Sequence, residues 1–217
     1  MTKYTNWYIL FIFVTYLIRM TSKSANTKQY IIETVAPVFN KYGYAGTSLS
    51  DITKATGLTK GAVYGNFQNK EEIAIEAFNY NIKIILRAIA KILDEEKSPV
   101  KKLFKLTEFF RRYQKYTMDF GGCPILNIGI DSKHQNPYLL ERVRYSIEKI
   151  ENYIAYVIEK GIELKEIKQG INSRKYAKRI LALIEGSIFM MITMNNESYL
   201  LDMMDHIDKM IKTELIN

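Results

Sequence analysis

Residues 48–67 read SLSDITKATGLTKGAVYGNF, and the spacing within this stretch decides the fold. Ser48 followed by Asp51 is a capping box that opens a helix through Ile52 to Ala55, and Gly57 ends it. Thr59 caps a second start, so that Lys60, Gly61, Ala62, Val63 and Tyr64 form another short helix. Two short helices joined by a tight turn at Thr56 to Leu58 have the layout of a helix-turn-helix. Leu49, Ile52, Ala55, Leu58, Val63 and Phe67 are expected to pack inward and fix the interhelical angle. Thr59, Lys60, Gly61, Ala62, Tyr64 and Asn66 are left on the outer side. That outer chemistry suits DNA. The small Gly61 and Ala62 let the backbone approach a groove, Lys60 brings charge, and the Thr59 and Tyr64 hydroxyls and the helix-start amides can hold phosphate oxygens.

Outward from this core the pattern stays helical. Upstream, Ile31, Ile32, Val35, Ala36, Phe39 and Tyr42 recur at steps of three and four, and Gly43 supplies a stop. Pro37 removes one backbone hydrogen bond inside this helix, which predicts a kink or loosened turn rather than a break. Downstream, Asn69 with Glu72 caps a long helix to about Leu93. Ser98-Pro99 opens one to about Met118, and Gly121-Gly122 breaks it. Cys123-Pro124 starts a short helix and Asn136-Pro137 a long one to about Leu164. Ser173 begins a helix through Met194, and Asn195-Asn196 separates it from a last one through Leu215. Strand and hairpin signals are weak throughout, so the expected fold class is all-α.

Composition narrows the function. Of 217 residues, 47% are hydrophobic and 25% charged, which excludes wholesale disorder and a multi-span membrane protein. The net charge is +8, and residues 21–70 alone carry six lysines against Glu33 and Asp51. Half of the excess thus lies in fifty residues, where attraction to a polyanion is strongest; a solvated basic face is the alternative reading. One cysteine cannot form an intrachain disulfide or a cysteine zinc site, and His134 and His206 lie far apart, so neither metal nor cofactor is expected. A reducing, cytoplasmic setting fits. Phosphate-loop, dinucleotide and H-E-x-x-H signatures are missing, which argues against an enzyme.

The apolar run from Trp7 to Ile18 rises about 18 Å as a helix, short of a hydrocarbon core of about 30 Å. Arg19 follows it without an A-x-A-like cleavage site. We read residues 1–19 as sequence upstream of a true start at Met20, with membrane anchoring second and secretion last, and expect no obligatory membrane partner.

Residues 27–73 resemble the DNA-binding domain of the TetR family of bacterial transcriptional regulators. The telling string is TGLTKGAVYGNFQNKEEI at 56–73, with a glycine turn, a Thr-Lys-Gly helix start, Tyr-x-x-Phe, and Lys-Glu-Glu opening the next helix; Gly-Tyr-x-Gly-Thr at 43–47 also fits. Asn66 stands where many members carry histidine, and Pro37 is unusual. The resemblance implies a DNA-binding domain at 24–73, with the helix-turn-helix at about 48–67, followed by a helical regulatory and dimerisation domain at 74–217. It further implies that Thr27, Lys28, Thr47 and Ser48 anchor backbone phosphates, that Thr59, Lys60, Gly61 and Ala62 face bases or their phosphates, and that Tyr64, Asn66 and Lys70 hold the flanking backbone. Ser48 has a second reading as a helix cap alone, Gly61 as relief of crowding, and Tyr64 as partly core.

The same resemblance implies a homodimer through the last two helices, a palindromic DNA operator and a small-molecule effector, the usual outcome being repression relieved by ligand. A DNA-binding architectural or cell-division protein of the same fold, without an effector, is the alternative. Ile180, Leu181, Ile184, Ile188, Met191 and Ile192 form one stripe, and Leu200, Leu201, Met204, Ile207, Met210 and Ile211 another. Each suits a dimer interface or burial within one subunit. Phe109, Tyr113, Tyr116, Phe120, Asn127 and Phe189 are the candidate lining of a largely apolar pocket, with Asn127 its polar handle; ordinary core is the other reading. No inward cluster of acids or bases is evident to name the ligand, which is read as apolar and either aromatic or cationic. Cys123, at a helix start, is read either as a redox-sensing thiolate or as a small residue packed at a corner.

Overall fold

The computed structural model describes residues 23–115 and 121–216, and among these every regular element is helical. The apolar run at 7–18 and the proposed start at Met20 lie outside the described residues. Helix α1 is Lys23–Tyr42, α2 Leu49–Thr56, α3 Lys60–Tyr64, α4 Lys70–Asp94 and α5 Pro99–Arg111. Helix α6 is Pro124–Ser132, α7 Pro137–Glu163, α8 Ser173–Met194 and α9 Ser198–Met210, the last continuing as a π-turn through Leu215. Among the described residues no helix is long and apolar enough to cross a membrane.

Five starts carry the caps that the spacing predicts, at Ser48, Thr59, Asn69, Ser98 and Asn136. Asn172 adds one that the sequence reading did not name, and Cys123 and Glu197 open their helices without a side-chain cap. Ser48, Thr59, Asn69, Ser98, Asn136 and Asn172 each accept a backbone N–H from the first turn of the helix that follows. Ser48 and Asp51 complete a reciprocal box, and the Ser48 hydroxyl and amide hold the Asp51 carboxyl below its usual range. Gly57, at φ +67°, is the left-handed residue that turns the chain from α2 towards α3. Helix α1 runs through Pro37 without ending. Helix α5 is interrupted at Arg112 rather than running unbroken; helical geometry resumes at 113–115, and the expected end near Met118 lies outside the described residues. Arg112 leaves helical geometry and gives its N–H to the Phe109 and Phe110 carbonyls, tightening the last turn.

One apolar core runs through the molecule. Ile31, Val35 and Phe39 of α1 meet Ile73, Ala77 and Phe78 of α4, and this pair carries Ile52, Val63 and Phe67 of the helix-turn-helix. Ala55, expected inside, is exposed. Thr56 takes the inner place, because from Ile52 the inward face advances by four residues, and its hydroxyl donates to the Ile52 carbonyl at 2.8 Å. Helices α5, α7, α8 and α9 form the larger body. Both apolar stripes largely turn into it: Ile180, Leu181, Ile184, Ile188 and Met191 are buried within one subunit, as are Leu200, Met204, Ile207, Met210 and Ile211. Only Ile192 and Leu201 of those stripes stay exposed.

Candidate nucleic-acid interface

The outer face of α3 is built by two ends. Thr59 is extended at φ −72°, ψ 157°, and its side chain accepts the Ala62 N–H at 3.2 Å, leaving its hydroxyl hydrogen to donate outward. Lys60 and Gly61 are exposed beside it, Ala62 is half-buried, and Tyr64 is 37% exposed. Val63 alone of this helix is fully buried and anchors it. A Cβ placed on Gly61 would meet nothing within 4 Å, and Gly61 is not in the left-handed region, so neither packing nor backbone geometry within this chain calls for glycine there. Crowding is therefore not its explanation. Tyr30 of α1 donates its hydroxyl to the Thr56 carbonyl at 2.9 Å and fixes the end of α2.

The remaining residues expected at DNA divide. Ser48 is exposed at the start of α2, capping it while facing solvent. Thr27 is half-buried on α1. Lys28 pairs with Glu72 at 2.7 Å and lies 4.8 Å over the Phe67 ring, so its charge is shared with α4. Thr47 is a correction: it is fully buried and its hydroxyl donates to the Gly43 carbonyl at 2.7 Å, so its side chain holds the loop rather than facing a phosphate. Lys70 is a second. Its ammonium turns inward to the Tyr44 and Thr47 carbonyls at 2.7 and 2.8 Å, and desolvation lowers its pKa against the opposing pull of Asp131. Asn66 donates to the Ala62 carbonyl at 2.9 Å and so closes the C-terminal end of α3.

Asp131 at the end of α6 is a residue the sequence reading missed. Its carboxylate accepts the backbone N–H groups of Tyr44 and Ala45, while Lys70 grips the same loop from the other side. Asn127, read as a ligand handle, is instead a structural clamp: its amide donates to the carbonyls of Asn40 at 2.8 Å and Gly121 at 2.9 Å. Asn40 in turn donates to the Gly122 carbonyl. Helix α6 is thereby stapled to the end of α1 and to the loop that leads into α2.

Of the candidate pocket residues, Phe109 and Tyr113 pack together with Phe110 as a buried cluster. Tyr116 and Phe120 lie outside the described residues. Phe189 is 46% exposed and is not part of the buried core. Cys123 is 2% exposed, and its thiol donates to Glu185 at 3.3 Å. Burial, then the Glu185 charge, pushes the thiol far above the ordinary range, overriding the helix dipole that would favour a thiolate. Glu185 itself, a lone acid in the apolar run of α8, was also missed. Among the described residues no group of three potential metal ligands occurs.

A helix-turn-helix held on an all-α body defines a DNA-binding regulator. Residues 31–77 match the family described as bacterial regulatory proteins, tetR family, and residues 99–207 match the tetracyclin repressor-like C-terminal domain. A TetR-family transcriptional regulator from Cytophaga hutchinsonii is 33% identical, with a TM-score of 0.87, over 92% of this chain and 100% of that one. The repressor DhaR of Mycobacterium sp. (strain GP1) is 26% identical over 76% of this chain and 81% of its own length. The uncharacterised regulator YxaF of Bacillus subtilis (strain 168) is 39% identical over 85 residues, 39% of this chain and only 44% of that protein. The chain belongs to the TetR family of bacterial transcriptional regulators. Members of this family bind DNA and act as dimers, and many are repressors.

Proposed function

We propose that this protein is a dimeric repressor that binds a palindromic operator and is released by a small effector. The observation that carries the DNA reading is the start of α3. Thr59, Lys60 and Gly61 are exposed side by side, and Gly61 stands in open space where its own chain needs no glycine. A residue kept small without an internal reason fits close approach by a partner. The working contact set is Thr59, Lys60, Gly61, Ala62, Tyr64 and Ser48, with Thr27 and Lys28 flanking.

The dimer is assigned to the outer face of α8 rather than to its buried stripe. Ala182, Gly186, Phe189 and Thr193 are exposed at steps of three and four, and a Cβ at Gly186 would meet nothing within 4 Å. Tyr199 and Leu201 of α9 add exposed apolar area. A two-fold related copy would place two α3 helices about one DNA turn, roughly 34 Å, apart. We divide the chain into a reading unit at 24–73 and a regulatory body at 74–217, joined by α4 and by the α6 staple. Selection of bound genomic fragments followed by footprinting tests this reading. A two-fold symmetric footprint near a promoter supports it, and no preference over random duplex overturns it. Broad binding without a specific site would favour the architectural alternative.

A further inference from the structure

Among the described residues an open, mainly apolar groove of about 410 Å3 lies between α6, α7 and α8. Leu126 and Ile130 of α6, Val143 and Ile147 of α7, and Leu181 and Ala182 of α8 supply its walls, Ala182 being shared with the α8 face assigned to the dimer, so that the groove opens beside the partner copy. One turn beyond Leu181, Glu185 brings a carboxyl into the lining. Among the described residues its hydrogen-bond partner is the Cys123 thiol, a weak donor. The rim carries Arg144, Lys178 and Glu151. Arg144 and Lys178 are exposed, with their heads free to stay in water, and neither contributes to the titration of Glu185. Burial dominates that titration and raises the carboxyl to about 7. The groove thus holds an acid that no cation among the described residues compensates, next to apolar walls.

We infer that this groove binds an amphipathic organic cation, its positive centre against Glu185 and its apolar body along α6 and α7. Such a ligand would replace the lost hydration of the carboxylate with a charge partner and bury its own apolar surface at once. An anion would meet Glu185 as a like charge, and a neutral ligand would gain at most a hydrogen bond, without the charge partner that a cation brings. The inference rests on the regulator reading for its consequence, because the effector would press on α6, whose polar side chains hold the end of α1 and the loop into α2.

Two probes of one shape and opposite charge, tetraphenylphosphonium and tetraphenylborate, with the neutral three-ring triphenylphosphine oxide as an uncharged reference, test it on the full chain by titration calorimetry at pH 8. Tetraphenylphosphonium is expected to bind more tightly than tetraphenylborate. Glu185→Gln, which keeps shape and removes charge, is expected to weaken the phosphonium at least about tenfold and not to weaken the oxide. Equal affinity for the two ions, no binding of the phosphonium, or an unchanged Glu185→Gln would overturn it.

The wild-type protein supplies a second measurement should the variant fold poorly. Phosphonium affinity is expected to rise about tenfold from pH 6 to pH 8 as Glu185 ionises. The groups facing Glu185 from the neighbouring elements, Cys123 and Tyr113, stay protonated there because burial raises both, and Arg144, Lys178 and Glu151 complete the charged surroundings. A flat profile would overturn the assignment. Operator binding by the free protein is measured in parallel. Its loss with phosphonium binding intact would overturn the regulator reading alone, and the reverse would overturn the groove alone.

Discussion

The Asp131 carboxylate accepts the backbone N–H of Tyr44 at 2.5 Å across 87 positions of sequence. Gly43 makes this approach feasible, since its φ is +74° and a Cβ there would lie 2.7 Å from the Asp131 carboxyl carbon. The loop at 43–47 is therefore held between an anion from α6 and the Lys70 cation from α4. Asp131→Ala would leave the Tyr44 and Ala45 N–H groups to water. The site is half-exposed, so we expect a loss of about 1 kcal/mol in urea unfolding. Operator affinity should fall further than stability does, because α2 and α3 lose their fixed seat. Wild-type affinity in this variant would show that α6 does not set the reading head.

Gly61→Ala separates fold from function. The added methyl enters open space in the free protein, and alanine is the better helix former by about 1 kcal/mol in a helix interior. Thermal stability is expected to hold or rise while operator affinity falls. A variant that is more stable and binds equally well would remove close approach at Gly61 from the mechanism.

Lys60→Ala should weaken binding to all sequences alike. If its ammonium lies on a phosphate, the slope of log affinity against log salt should flatten by about one unit. Titrations at several salt concentrations measure this, and parallel lines for variant and wild type would take Lys60 off the duplex.

What the sequence disclosed follows physical range. Ser48 with Asp51, Thr59, Gly57 and Asn69 act within four residues of themselves, so their chemistry can be read from spacing, and the structure places them as caps and turns. The stripes on α8 and α9 announced burial but not by which surface, since periodicity records a buried face and not its neighbour. Thr47 and Lys70 reveal their inward roles only once α1, α4 and α6 are assembled, because their partners are set by tertiary packing. Asn127 reaches back 87 positions to Asn40, with no local trace. Glu185 left one signal, an acid within the apolar run ILALIEGSIFMMI, whose placement against Cys123 depended on how α8 packs on α6.

Cys123 gives a prediction opposite to redox sensing. A thiol that is 2% exposed and held protonated by burial reacts slowly, because the thiolate is the nucleophile. A thiol-specific colorimetric reagent at pH 8 is expected to find no fast-reacting group in the native protein and one per chain in denaturant. Peroxide at neutral pH should leave operator binding unchanged. Rapid native labelling of Cys123 would show that the corner beside Glu185 opens readily and would restore the sensing role.

Glu185 also makes stability depend on pH in a stated direction. Its carboxyl is raised from 4.5 to about 7 by burial, with only the Cys123 hydrogen bond opposing. Between those values the folded chain binds a proton that the unfolded chain has released, so stability falls as pH rises. The contribution is fully present below about 4.5 and is lost as pH passes through about 7. Its size is on the order of 3 kcal/mol, because a tenfold difference in proton affinity between the folded and unfolded chains is worth about 1.4 kcal/mol. Glu185→Gln carries no proton to lose, so its unfolding free energy should be flatter over this range, and the variant should gain on wild type as pH rises. Urea unfolding at pH 5, 6, 7 and 8 compares the two. Parallel curves would mean that water reaches the carboxyl in the free protein, so that the groove offers no uncompensated acid to a cation.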